Sequence, residues 1–280
     1  MLVVSGEVPL VGGSLTRPVR IGNTVRRRKG RWTAAVHSLL RHLEGAGFEG
    51  APRVIGMDGD HEVLAFVEGR PGVRPRPPAL RRDCGLAGLG RLLRECHDAQ
   101  QGFVPASDAA WMVGPVVWSP DYVVRHGDLV PGNTVWRGAA PVAFIDWDFA
   151  EPGPPVVDLA HLAWTAVPLR SDEQWREEGF ERPPDLRHRL QVVCEAYGRF
   201  SPREVLDALD ELHRTMRRRT LQLGPELEEP GAQRRPGARR GRAGLPVHRP
   251  GQPDLQQDLR SPGLRAGRRH GQPGGRLTPC

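Results

Sequence analysis

Residues 126–160 read HGDLVPGNTVWRGAAPVAFIDWDFAEPGPPVVDLA and set His126, Asp128, Asn133, Asp146, Asp148 and Asp158 around one apolar run, Val142-Ala143-Phe144-Ile145. Asp128 and Asn133 lie five apart in a segment broken by Pro131 and Gly132, which predicts a loop. The apolar run predicts a strand, with Asp146 at its end. A loop carrying one carboxylate and one amide, then a strand delivering a second carboxylate, suits phosphoryl transfer. One carboxylate receives an acceptor hydroxyl's proton while the amide and the other carboxylate hold magnesium on nucleotide phosphates. Mg²⁺ is hard and keeps several positions for water and phosphate, so one amide oxygen and one carboxylate suffice. Taken singly, each Asp or Asn fits a turn equally well. The ordered set H-x-D-x-x-P-x-N, I-D-x-D and D-L-A is what points to chemistry.

This pattern resembles the aminoglycoside phosphotransferase-like family of ATP-dependent small-molecule kinases, which share the protein-kinase fold. The strong match covers Val123 to Leu169 and a looser one about residues 5–223. The resemblance implies an α+β, bilobal protein-kinase-like fold, with a small antiparallel β-sheet N-lobe over residues 1–68 and a mainly helical C-lobe over 69–223. It implies Asp128 as catalytic base, and Asn133 and Asp146 as magnesium ligands. Asp148 follows as a supporting residue or further metal contact. His126 resembles the catalytic-loop His that packs beneath that loop, and Asp158 the buried Asp that opens a helix and accepts the loop's hydrogen bonds. The implied cofactors are ATP, or another nucleoside triphosphate, and Mg²⁺. The implied partner is a small hydroxylated molecule, aminoglycoside-like or another metabolite.

Working back toward the N-terminus, Glu7–Val11, Pro18–Ile21 and Thr24–Arg28 read as short strands separated by Gly12-Gly13-Ser14 and Gly22-Asn23. Gly12 and Gly13 either form a plain turn or let backbone N–H groups approach phosphates. The resemblance places a phosphate-binding cation on the third strand, where Arg26 stands in place of the usual Lys. The two are not interchangeable, because guanidinium is a planar fork and ammonium a point charge. The helix that should supply the cation's Glu partner, predicted over Trp32–Leu43, offers Val36 and His37 instead. Two more strands are predicted at Arg53–Met57 and Glu62–Val67, on either side of Asp58-Gly59-Asp60. The base of the nucleotide is expected to meet backbone groups near Phe66, Glu68 and Gly69.

Toward the C-terminus, Leu86, Leu89, Leu92, Leu93 and Cys96 form a helical stripe, and further helices are predicted at Asp158–Ala166, Pro184–Tyr197 and Pro202–Leu223. Asp172, Glu173, Glu177, Glu178 and Glu181 form an acidic crowd. It is either a solvated helix face or, by the resemblance, a seat for a polyamine-like substrate.

The formal charge of +7 misstates the folded part. Residues 224–280 hold 11 Arg against 5 acidic residues, which leaves 29 basic and 28 acidic residues before them. That segment has no aromatic residue and 20 Gly or Pro in 57, so disorder is expected, from either a genuine tail or a frame-shifted translation of GC-rich coding sequence. Nucleic-acid binding would rest on its Arg clusters alone and is not expected. There is no apolar run of 18 residues and no signal-peptide pattern at the start, and Cys84, Cys96, Cys194 and Cys280 are widely spaced. Reduced thiols in a cytoplasmic protein that does not enter a membrane are expected. A different class, a catalytically impaired nucleotide-binding or regulatory protein of the same fold, is motivated by the missing Lys–Glu pair.

Overall fold

Gly22-Asn23 joins two short runs containing Val, Ile and Thr. In the computed structural model, which describes residues 6–10, 18–169 and 174–223, these become the hairpin of β2 (Val19–Ile21) and β3 (Thr24–Arg28). With β1 (Val8–Pro9), β4 (Val54–Asp58) and β5 (His61–Ala65) they form one antiparallel sheet, ordered β1-β2-β3-β5-β4. Helix α1 (Thr33–Gly45) interrupts this series and buries Val36, Leu39, Leu40 and Leu43, as the three- and four-residue spacing requires.

The second half is mainly helical. Helix α2 (Asp83–Asp98) packs on α5 (Leu186–Tyr197), and α3 (Pro155–Ala166) packs on α6 (Pro202–Leu223). A short α4 (Gln174–Glu177) lies between α3 and α5. Helix α6 opens with a capping box: Glu204 Oε2 accepts from Ser201 N at 2.8 Å, and Ser201 Oγ accepts from Glu204 N at 3.3 Å. Helix α3 begins at Pro155, three residues before the predicted start. Proline suits the first helical position because that N–H has no intrahelical acceptor. Asp158 therefore sits within the first turn.

Two small antiparallel sheets carry the loops of the site. One orders β6 (Arg70–Pro71), β8 (Thr134–Arg137) and β9 (Ala140–Phe144), and the other pairs β7 (Val123–Arg125) with β10 (Glu151–Gly153). Of these, only the run of β9 was predicted as a strand. The others are two to four residues long, too short for alternation to show. Cys96 and Cys194 are buried free thiols, as expected, and Cys280 lies outside the described residues. The predicted disordered tail, 224–280, lies outside the described residues.

Candidate active site

Strand β7 delivers the chain into the loop 126–133, and the loop is held from below. Asp158, 1 % exposed, accepts from the backbone N–H of His126 at 2.8 Å and of Gly127 at 3.3 Å. Its carboxyl also meets His97 Nε2 at 3.3 Å, and His97 Nδ1 meets the Tyr197 hydroxyl at 2.9 Å. His126 is buried against Trp147 and Phe144, and its Nε2 lies 3.0 Å from the Ile145 carbonyl. That contact requires a proton on Nε2, and Nδ1 then accepts from Asp128 N at 3.3 Å. One imidazole thus ties the loop to the end of β9. Thr165 on α3 adds a hydroxyl bond to the Leu129 carbonyl at 2.7 Å.

Gly127 is needed in this loop for its backbone. Its φ is +78°, and a Cβ there would stand 2.0 Å from the Phe149 carbonyl oxygen, which is main chain and cannot swing aside. Gly127→Ala is expected to cost about 1–2 kcal/mol for the left-handed conformation alone, and more for the clash. It should also cost most of the turnover, since the shifted residue is bonded directly to Asp128. Thermal melting of the variant beside its kcat checks both.

Asn133 donates from Nδ2 to the Asp128 backbone carbonyl at 3.0 Å and to Asp128 Oδ2 at 2.8 Å. A carboxylate accepts only from the amide nitrogen, so these bonds fix the amide's orientation and leave its oxygen as the atom for a cation. Burial raises the Asp128 carboxyl above its ordinary range. The nearby His126 and the Asn133 bond pull it down, and the charge of Asp146 adds to the rise. Asp146 follows β9 with φ +66°, a left-handed conformation that Asp tolerates better than most residues.

The cation facing these carboxylates is Arg27, not Arg26. Successive strand residues point to opposite faces. Arg26 points to the outer face and pairs with Asp58, while Arg27, 5 % exposed, points inward. Its Nε meets Glu62 at 2.8 Å, one terminal nitrogen meets Asp146 at 2.9 Å and the other meets Asp148 at 3.0 Å. Burial by itself would make Arg27 easier to deprotonate, but Glu62, Asp148 and Asp146 together raise its pKa. Asp148, 4 % exposed, takes Arg27 and the Trp32 indole N–H on the same oxygen. It anchors Arg27 and the start of α1, which is the supporting role that the sequence offered beside a metal contact. Arg27, Glu62, Trp32, His97, Tyr197 and Thr165 were all absent from the sequence-level site.

Around the cleft, the Arg20 guanidinium lies over the Phe66 ring at 3.6 Å and bonds Glu68 at 2.8 Å. The segment expected to meet the nucleobase is therefore clamped to β2. Gly12 and Gly13 lie outside the described residues, as do Asp172 and Glu173. Glu177 and Glu178 face Arg74, and Glu178 also bonds Arg76, so this part of the acidic crowd is internally neutralised.

A sequence profile of the "Phosphotransferase enzyme family" matches residues 109–192. The trifolitoxin immunity protein of Rhizobium leguminosarum bv. trifolii is 34 % identical over 200 residues, which span 70 % of this chain and 75 % of that protein. Among solved structures, the GDP complex of aminoglycoside 2'-phosphotransferase-IIIa matches with TM-score 0.54 at 14 % identity, over 81 % of this chain and 89 % of that one. The streptomycin–ATP ternary complex of APH(2")-IIa matches with TM-score 0.53 at 13 % identity, over 79 % and 89 %. At such identities these structures speak for the fold, which is the bilobal kinase-like one.

Proposed function

We infer that this chain, which belongs to the phosphotransferase enzyme family and is a small-molecule kinase with a hydroxyl acceptor, takes its phosphoryl group from ATP and transfers it over Asp128. The observation that carries this reading is the Asp128–Asn133 pair. A carboxylate is aimed by an amide whose oxygen is left for a cation, on a loop fixed by Asp158 and His126. Residues 1–68 and 69–223 would act as two lobes with the nucleotide between them, in the cytoplasm where ATP is available.

Asp128 orients the acceptor hydroxyl and takes its proton late, since the transition state is largely dissociative. Asn133 and Asp146 would hold Mg²⁺, which when bound neutralises charge on the phosphate oxygens. The donor set fits. Arg27 carries one positive charge against Asp146, Asp148 and Glu62, so the cluster remains negative and favours a divalent cation. Among the described residues no three His, Cys, Asp or Glu converge as a cage. Mg²⁺ does not need one, because it binds through one or two carboxylates with phosphate and water. Arg27 would meet the nucleotide phosphates through its two terminal nitrogens.

The acceptor class to test first is a toxin or antibiotic bearing a hydroxyl, because the 34 % identical relative is named as an immunity protein. A strongly polycationic acceptor is disfavoured by the neutralised Glu177 and Glu178. Purified protein with Mg²⁺ and ATP or GTP should release the diphosphate when offered the right member of a panel of hydroxylated toxins, antibiotics and metabolites. The same panel tests the second reading, nucleotide binding without turnover, which the closure of Arg27 onto Asp146 and Asp148 favours. Nucleotide binding with no diphosphate release from any acceptor would support it.

A further inference from the structure

Strand pairing sets Arg27 directly opposite Glu62, so both side chains stand on the inner face of the N-terminal sheet. Glu62 is 1 % exposed and divides its two oxygens: Oε1 faces Arg27 Nε at 2.8 Å and Oε2 faces His37 Nε2 at 2.6 Å. His37 comes from the buried face of α1. The three nitrogens of Arg27 then go to three different carboxylates, Nε to Glu62 and the terminal pair to Asp146 and Asp148. Burying such a set carries a desolvation cost that well-packed apolar side chains would avoid. Its evident return is geometric: Nε is anchored within the sheet and both terminal nitrogens are presented at the cleft.

We propose that Glu62, locked by His37, is the positioning residue for Arg27, holding its guanidinium at the place where the nucleotide phosphates bind. This deepens the kinase reading and rests on it for the identity of the ligand. The anchor and the cation share one sheet, joined by backbone hydrogen bonds of β3 and β5. The pair is therefore assembled whether or not the nucleotide is present and does not wait for a helix to swing in. Helix α1 meets Glu62 through the His37 bond, which keeps Glu62 from rotating toward another donor. When phosphate arrives, the terminal nitrogens of Arg27 can exchange carboxylate for phosphate oxygens while Nε stays on Glu62.

The test is nucleotide affinity, measured by calorimetry with Mg²⁺-ATP on the full chain, alongside KM for nucleotide and for acceptor. Glu62→Gln should weaken nucleotide binding at least about tenfold (roughly 1.4 kcal/mol) with the acceptor KM nearly unchanged. In an Arg27→Met background the same change should cost almost nothing further, because a residue acting through Arg27 is non-additive with it. His37→Ala should show a smaller loss of the same kind, and His37→Gln, which restores an N–H donor, should recover part of it. A folded Glu62→Gln protein with wild-type nucleotide affinity, or a full additional loss in the Arg27→Met background, overturns the proposal. If Glu62→Gln does not fold, the His37 pair decides: equal affinity in His37→Ala and His37→Gln overturns it. Because the readout is binding, a chain that binds nucleotide but phosphorylates no acceptor would defeat the kinase reading without touching this one.

Discussion

Asp128→Asn should lower kcat by about 10²–10⁴-fold, the range for loss of a general base, while melting temperature and nucleotide affinity stay near wild type. The substitution preserves side-chain volume and leaves an oxygen able to accept from Asn133 Nδ2, so the loop retains its Asp158, His126 and Thr165 anchors. What is lost is the ability to take a proton. The pH profile separates this from misplacement. Burial holds the Asp128 carboxyl above the ordinary Asp range, so the acidic limb of kcat/KM should fall at higher pH than a solvent-exposed Asp would give. Activity should be present above that point and lost below it, and the Asn variant should lack the limb. Retention of more than about a third of wild-type kcat would be incompatible with a general base and would remove Asp128 from the role.

The loop 126–133 and the strand that leads to Asp146 were legible because their pattern is local: residue types at short, fixed spacings. The cation was not. Three consecutive arginines, Arg26, Arg27 and Arg28, offer the same chemistry, and strand register alone chooses among them. The deciding signal lay on the neighbouring strand, where Glu62 and Leu64 share the buried face of β5. A carboxylate in phase with a core leucine demands a buried cation opposite, and the pairing supplies Arg27. His97 and Tyr197 were unreadable for another reason. They sit in phase with the packing faces of α2 and α5, so nothing local separates them from core filler, and only the fold brings them to Asp158. The two readings of the acidic crowd could not be separated locally, because the arginines that pair with Glu177 and Glu178 lie about a hundred residues earlier.

Asp158→Ala is expected to destabilise the protein by about 3–5 kcal/mol, as breaking a buried charged pair typically does. For a chain of this size that lowers the melting temperature by roughly 6–20 °C. Three groups lose their acceptor together: the N–H groups of His126 and Gly127, and the His97 ring. Each buried donor left unsatisfied costs on the order of 1–3 kcal/mol, and the space left behind is closed off by the surrounding core. Acid titration gives an independent check. Burial alone would raise the Asp158 carboxyl, but the hydrogen bond and charge of His97, the charge of Arg125 and the His126 N–H outweigh it and hold the pKa at about 2. A folded-state pKa below the unfolded one adds stability at pH values above the unfolded value, and that stability is lost as pH falls from about 4 to about 2. The shift corresponds to about 2 kcal/mol. Asp158→Asn, which keeps the shape and one acceptor oxygen, should flatten stability against pH across that window. Because the loop it supports carries Asp128, kcat should fall in both variants even where they remain folded. An Asp158→Ala protein with unchanged melting and unchanged turnover would show that the loop is held by His126 and Thr165 alone.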